Sequence, residues 1–171
     1  MYDEILLPSD GSPAATGALD HALDLAATYG SRLHVLYVVD QSAVDSIVSE
    51  SELVAVALEG EGTEAVDAIE RRAAERGVDV VTDVLTGHPA RTILDYATGH
   101  DIDLLVMGTN GRTGLDRYLL GSVTERVVRN ADVPVLVVRR PEASEAPEAP
   151  EESEASESST VSETSTYETV E

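Results

Sequence analysis

Short apolar runs and helically spaced apolar positions take turns along the first 140 residues. Ile5-Leu6-Leu7, ended by Pro8, suits a buried strand. Ser12-Pro13 then opens a helix, with Ser as N-cap and Pro at the first helical position. Leu19, Ala22, Leu23 and Ala26 recur at helical spacing, and Gly30 stops the run. Leu33 to Val39 reads as a second strand. Residues 41–60 are ambiguous and read as a loop with a short helix. Glu61 to Arg76 is a clearer helix closed by Gly77. Val78 to Leu85 is a third strand. Pro89 starts a helix through Ile93, Leu94 and Ala97 that ends near Gly99. Leu104 to Met107 is a fourth strand, Ser122 to Asn130 the last helix and Val133 to Val138 the last strand. Strands that are apolar throughout, alternating with helices, indicate a parallel sheet covered on both faces. Right-handed crossovers make this a doubly wound α/β layer, whose ligands sit beyond the carboxyl ends of the strands. The loops after strands one and four are therefore where chemistry is expected.

Composition changes the picture at Pro141. From there to Glu171 the chain has ten Glu, no Arg, many Ser and Thr and almost nothing large and apolar. Such a segment is expected to be a disordered acidic tail, since it cannot bury enough surface to offset its ordering entropy. The expected division is a domain over 1–140 and a tail over 141–171. The full chain of 171 residues carries a formal charge of -22, and removing the tail's ten acids leaves -12 on the domain. All 11 basic residues are Arg; Lys and Cys are absent. Without Cys there is no disulfide framework, zinc–thiolate site or cysteine nucleophile. Without Lys there is no Walker A loop and no Schiff base. The charge argues against nucleic-acid and membrane partners, which need a basic surface. The amino terminus lacks the pattern of a signal peptide, so a cytoplasmic location is expected. Acidic excess with every Lys replaced by Arg favours adaptation to molar salt, where repulsion is screened over about 3 Å. The plainer reading is a highly charged soluble protein.

The loop after strand four runs Gly108-Thr109-Asn110-Gly111-Arg112-Thr113-Gly114, and Gly121-Ser122-Val123-Thr124-Glu125 opens the last helix. Glycines directly after a buried strand permit positive φ and close approach of a ligand. Ser122 and Glu125 have the spacing of a capping box. A helix start with exposed N–H groups is an anion site that needs no Lys. The bland reading, with glycines for turns and Ser122 as a cap, weighs about equally on spacing alone.

Gly108-x2-Gly111-x9-Gly121-Ser122 resembles the nucleotide-binding signature of the universal stress protein family, in its ATP-binding branch. The resemblance spans 1–140. It includes Ile5-Leu6-Leu7-Pro8-Ser9-Asp10-Gly11-Ser12, Thr86-Gly87-His88-Pro89-Ala90, Asp103 to Gly108 and Val133 to Val138; the acidic tail lies outside it. It implies a five-stranded parallel sheet in order 3-2-1-4-5, of the adenine nucleotide alpha hydrolase-like type. ATP, with Mg2+ or Mn2+ on its phosphates, would lie across the ends of strands one and four. Pro8 and Asp10 would line the adenosine side, with Asp10 near the ribose or the phosphate-bound metal. Val38 would contact adenine through its backbone, and Met107 and Gly108 would flank the nucleotide. Gly111, Gly121, Ser122, Val123 and Thr124 would hold ribose and phosphates. For Asp10 an Asp-Gly turn is the plain alternative, and for the Met107 side chain it is core packing. Whether Arg112 touches phosphate stays open, with a solvated loop residue as the favoured reading.

The resemblance also implies a regulatory homodimer in stress responses, paired through Val133–Val138, and an apolar edge strand does need a partner or cover. Alternatives of other classes are a slow ATP hydrolase and a nucleotide-independent interaction module. No residue in the loop supplies a general base or a cationic clamp for phosphoryl transfer. His21, His34, His88 and His100 have no metal-ligand spacing and read as surface or structural residues. His88 carries slightly more weight, because it lies in a loop on the ligand side.

Overall fold

A computed structural model describes residues 1–42, 51–109 and 120–139. The expected tail, with Gly111 and Arg112 of the glycine loop, lies outside the described residues. All described residues belong to one compact unit, Met1–Pro141. In chain order they form β1 (Glu4–Pro8), α1 (Pro13–Tyr29), β2 (Arg32–Asp40), α2 (Ser51–Glu75) and β3 (Val80–Gly87). Then come α3 (Pro89–Gly99), β4 (Leu104–Gly108), α4 (Ser122–Asn130) and β5 (Val135–Val138).

The sheet is parallel throughout, in the order β3-β2-β1-β4-β5. Its central strands are apolar on both faces because both faces are covered. Ile5 and Leu7 of β1 pack with α1 and α2 in one core, while Leu6 packs with α3 and α4 in the other. Burial of Ile5, Leu6, Leu7, Leu33, Leu36 and Leu105 is complete, each worth about 1.5–3 kcal/mol of transfer free energy. The direction of winding reverses between β1 and β4. That junction lies where a doubly wound sheet opens its crevice.

α1 starts and stops on the expected residues. Ser12 is the N-cap, its Oγ accepting from the Ala15 N–H at 3.2 Å. Gly30 ends the helix with φ of 69°, a left-handed conformation that favours glycine. α2 departs from expectation: instead of a loop and short helix before Glu61, it runs unbroken from Ser51. Gly60 and Gly62 each lower helix propensity by about 1 kcal/mol, yet the helix runs through both. Gly62 has a packing reason. A Cβ there would lie 2.7 Å from Cδ1 of Tyr37 and 3.1 Å from Cγ1 of Val84, so glycine lets α2 lie close on β2 and β3. β3 and β5 begin two residues later than expected. Val78 closes the end of α2 by donating to the Ala73 carbonyl. Pro134 contributes only its carbonyl, which accepts from Leu105.

Candidate functional site

The carboxyl ends of β1 and β4 bring together most of the described candidates. Pro8 is the last residue of β1, and Ser9, Asp10 and Gly11 form the turn into α1. Asp10 Oδ1 accepts from the Ser12 N–H at 3.0 Å, and Gly11 has φ of 73°. The side chain thus braces an Asx turn, while Asp10 itself stays partly exposed. Val38 is partly buried against the α3 face and lies two residues before the end of β2. At that end, Asp40 Oδ1 accepts from the backbone and hydroxyl of Ser42 at 2.9 and 2.6 Å.

Met107 is 4% exposed, its side chain in the core with Leu6, Ile93 and Val127. Gly108 ends β4. Its φ lies outside the left-handed range, so close approach accounts for the glycine. A Cβ here would sit 2.7 Å from the carbonyl carbon of Ala14 and 2.8 Å from its oxygen. The end of β4 is pressed against the first turn of α1.

The start of α4 corrects the capping-box expectation. The N-cap is Gly121, with φ of -60° and ψ of 150°, and it forms no side-chain cap. Ser122 is the first helical residue and is exposed, as is Glu125. Glu125 does not reach back to the helix start: its Oε1 accepts from Arg129 Nη2 at 2.7 Å, one turn further on. Pairing along the helix, in a favourable i,i+4 geometry, has taken the carboxylate that a capping box requires. The first helical hydrogen bond runs from the Glu125 N–H to the Gly121 carbonyl at 2.9 Å. The amides of Ser122, Val123 and Thr124 precede that bond and lack intrahelical acceptors.

Two hydrogen bonds fix this helix start to the last residue of β4 and the residue after it. The Gly121 N–H donates to the Thr109 carbonyl at 2.7 Å, and Thr124 Oγ1 donates to the Gly108 carbonyl at 3.0 Å. Thr124 is buried, and Val123 packs partly against the α3 face. Thr109 was not among the expected site residues, yet its amide also donates to Val138 of β5, tying the loop's first residue to the sheet. Backbone groups carry both links, and residue type at position 109 does not signal them. An uncapped amide turn with a positive dipole end, held beside the crevice, can accept an anionic group.

The histidines fall elsewhere. His21 is exposed on α1, and His88 is the exposed N-cap residue of α3, its side chain making no cap hydrogen bond. His34 and His100 lie in a polar cluster beneath α3, away from this crevice. Among the described residues no group of three or more His, Asp or Glu is arranged to hold a metal, and no helix is long and apolar enough to cross a membrane.

A doubly wound parallel α/β sheet of order 3-2-1-4-5, with an uncapped helix start at its switch point, defines the class. Residues 1–139 match the universal stress protein family, and the chain belongs to that family. It is 42% identical over 144 residues to universal stress protein MJ0531 of Methanocaldococcus jannaschii, covering 83% of this chain and 85% of that one. Among solved structures it is similar to MJ0577 of the same organism, with a TM-score of 0.76, 31% identity and coverage of 84% and 99% of the two chains. The fold also matches a universal stress protein family protein from Arabidopsis thaliana, At3g01520, solved with AMP bound. There the TM-score is 0.61 at 17% identity, over 82% of this chain and 93% of that one.

Proposed function

We propose that the chain is an ATP-binding universal stress protein, a nucleotide-dependent regulator that takes ATP with Mg2+ or Mn2+ across the ends of β1 and β4. One observation carries this reading: among the described residues no side chain caps the first turn of α4, while two hydrogen bonds hold it to Gly108 and Thr109. The polyphosphate would lie on Ser122, Val123 and Thr124, next to Gly108, Gly121 and Gly111. Adenosine would lie toward Pro8, Asp10 and Val38. The partly exposed carboxylate of Asp10 suits a divalent ion on the phosphates. A cation there also offsets repulsion between a polyanionic ligand and a chain of charge -22. The AMP-bound relative has the same fold, which is support by analogy of fold.

Nucleotide released from purified protein identifies the ligand, and calorimetric titration with Mg-ATP tests the site. Gly121→Val places a branched side chain over the amide turn and should weaken binding at least about 100-fold, or roughly 2.7 kcal/mol. Ser122→Ala should cost a few-fold. Equal binding by wild type and Gly121→Val removes the assignment.

The proposal includes a homodimer through Val133–Val138. In its support, β5 is a sheet edge, and Leu136 is 38% exposed there. Sedimentation in molar salt should show a dimer for wild type and a monomer for Leu136→Arg. A monomeric wild type removes the dimer. A cytoplasmic setting at molar salt is the companion proposal, supported by 33 acidic residues against 11 basic ones that are all Arg.

A further inference from the structure

Beneath α3, away from the proposed nucleotide site, four titratable side chains from four elements form one hydrogen-bonded chain. Tyr96 Oη of α3 donates to Asp83 Oδ2 of β3 at 2.6 Å. Tyr96 Oη also lies 3.0 Å from Nδ1 of His34 on β2, and Nε2 of that ring lies 2.7 Å from Glu4 Oε2 at the start of β1. His34 and Tyr96 are each 5% exposed.

The chain has three links, and each link needs one proton. The ordinary forms are two carboxylates, a phenol and a neutral imidazole, which together supply two. With the tyrosine proton directed at Asp83, Nδ1 must donate to Tyr96 Oη. The 2.7 Å contact at Nε2 then requires a proton of its own, for otherwise two acceptors face each other. Moving a proton onto either carboxylate changes its owner and leaves the total of three unchanged.

The surroundings place this third proton on the ring. Arg32 Nη1 lies 3.6 Å from Glu4 Oε1, so a guanidinium already sits beside that carboxylate, and Arg32 Nε binds Asp79 at 2.9 Å. Burial and the bond to Asp83 raise the Tyr96 pKa, so the phenol keeps its proton. His100, after α3, stacks on Tyr96 with ring centroids 3.8 Å apart and donates Nδ1–H to the Tyr96 carbonyl. Its centroid is 5.7 Å from that of His34. Ahead of β4, Asp103 accepts the Glu4 and Asp3 amides and has a lowered pKa, chiefly through those two bonds. The imidazole thus meets the Glu4 carboxylate directly and reaches Asp83 through the Tyr96 hydroxyl.

We propose that Glu4–His34–Tyr96–Asp83 is a proton-charged latch, which joins β1, β2, β3 and α3 while His34 is an imidazolium and opens at Nε2 when the proton leaves. The sign of the pH effect follows from proton linkage. Above the ordinary imidazole range near pH ~6.5 the unfolded chain has released its imidazole protons, and a folded chain with all three links made binds one proton more. Stability should therefore fall as pH rises, by about tenfold in the folding constant per pH unit while the folded chain holds the proton. Below that range both states carry the proton and the dependence vanishes.

Two variants remove the need for the third proton without removing the ring. In Glu4→Gln the amide can donate to a neutral Nε2. In Tyr96→Phe the neutral ring can donate from Nε2 to Glu4. Imidazole nitrogen NMR on the whole chain, at about pH 7.5 and so above the free-imidazole range, should show both His34 nitrogens protonated in wild type and one in Glu4→Gln. Denaturation series toward alkaline pH should be steep for wild type and flattened for both variants. A singly protonated His34 in wild type overturns the latch, as do parallel pH profiles for wild type and variants. The wild-type spectrum decides the matter even if a variant does not fold.

Discussion

Two helices begin at the same end of the sheet on either side of its switch point, and they finish their first turns in opposite ways. α1 is closed by its own chain: Ser12 is buried, its hydroxyl accepts from Ala15, and its carbonyl accepts from Thr16. α4 has Gly121 at the same position, with no side chain to offer, and Ser122 one residue too late to serve as cap. A cap is worth about 1 kcal/mol. Among the described residues no side chain caps the start of α4, which leaves its first amides to the proposed ligand. Both starts are held in place, one by the Asx turn at Asp10 and the other by bonds to Thr109 and Gly108. The contrast lies in who satisfies the amides.

The largest effect on this pair is expected where they meet. Gly108→Ala drives a methyl against the backbone of Ala14, which cannot turn aside as a side-chain tip could. It should lower stability by about 1–3 kcal/mol, read from the denaturation midpoint, and should disturb both helix starts at once. A smaller effect separates them. Ser12→Ala should cost about 1 kcal/mol of stability and leave Mg-ATP affinity in place, whereas Gly121→Asn, which gives α4 a cap like that of α1, should add a few tenths of a kcal/mol and weaken ATP binding. If Gly121→Asn binds ATP as wild type does, the amide turn is not where the phosphates lie.

Much of the fold was legible because its signals are local. Apolar strands such as Leu33–Val39 need no partner to be recognised, and Ser12-Pro13 and Gly30 mark helix ends by chemistry that acts within a turn. Where the reading failed, a residue's meaning depended on something distant in sequence. The loop and short helix read into residues 41–60 give way from Ser51 onward to one long helix, whose close seat at Gly62 depends on Tyr37 and Val84 across the core. Glu125 suggested a box with Ser122, but Arg129 holds it. At the candidate site, glycine spacing pointed to positions 108 and 121. The reason for Gly108, the backbone of Ala14, is visible only in three dimensions. His34, Tyr96, Asp83 and Glu4 are scattered over the sequence, and nothing in their spacing announces a common cluster.

The bond from Thr124 to Gly108 has a kinetic corollary. It makes the opening of α4 a fixture of the sheet, so a solute arriving there would meet this part of the proposed receptor already in place. Capture would then be paced by encounter and electrostatic repulsion, and differences among bound nucleotides would be expressed mainly in how long each one stays.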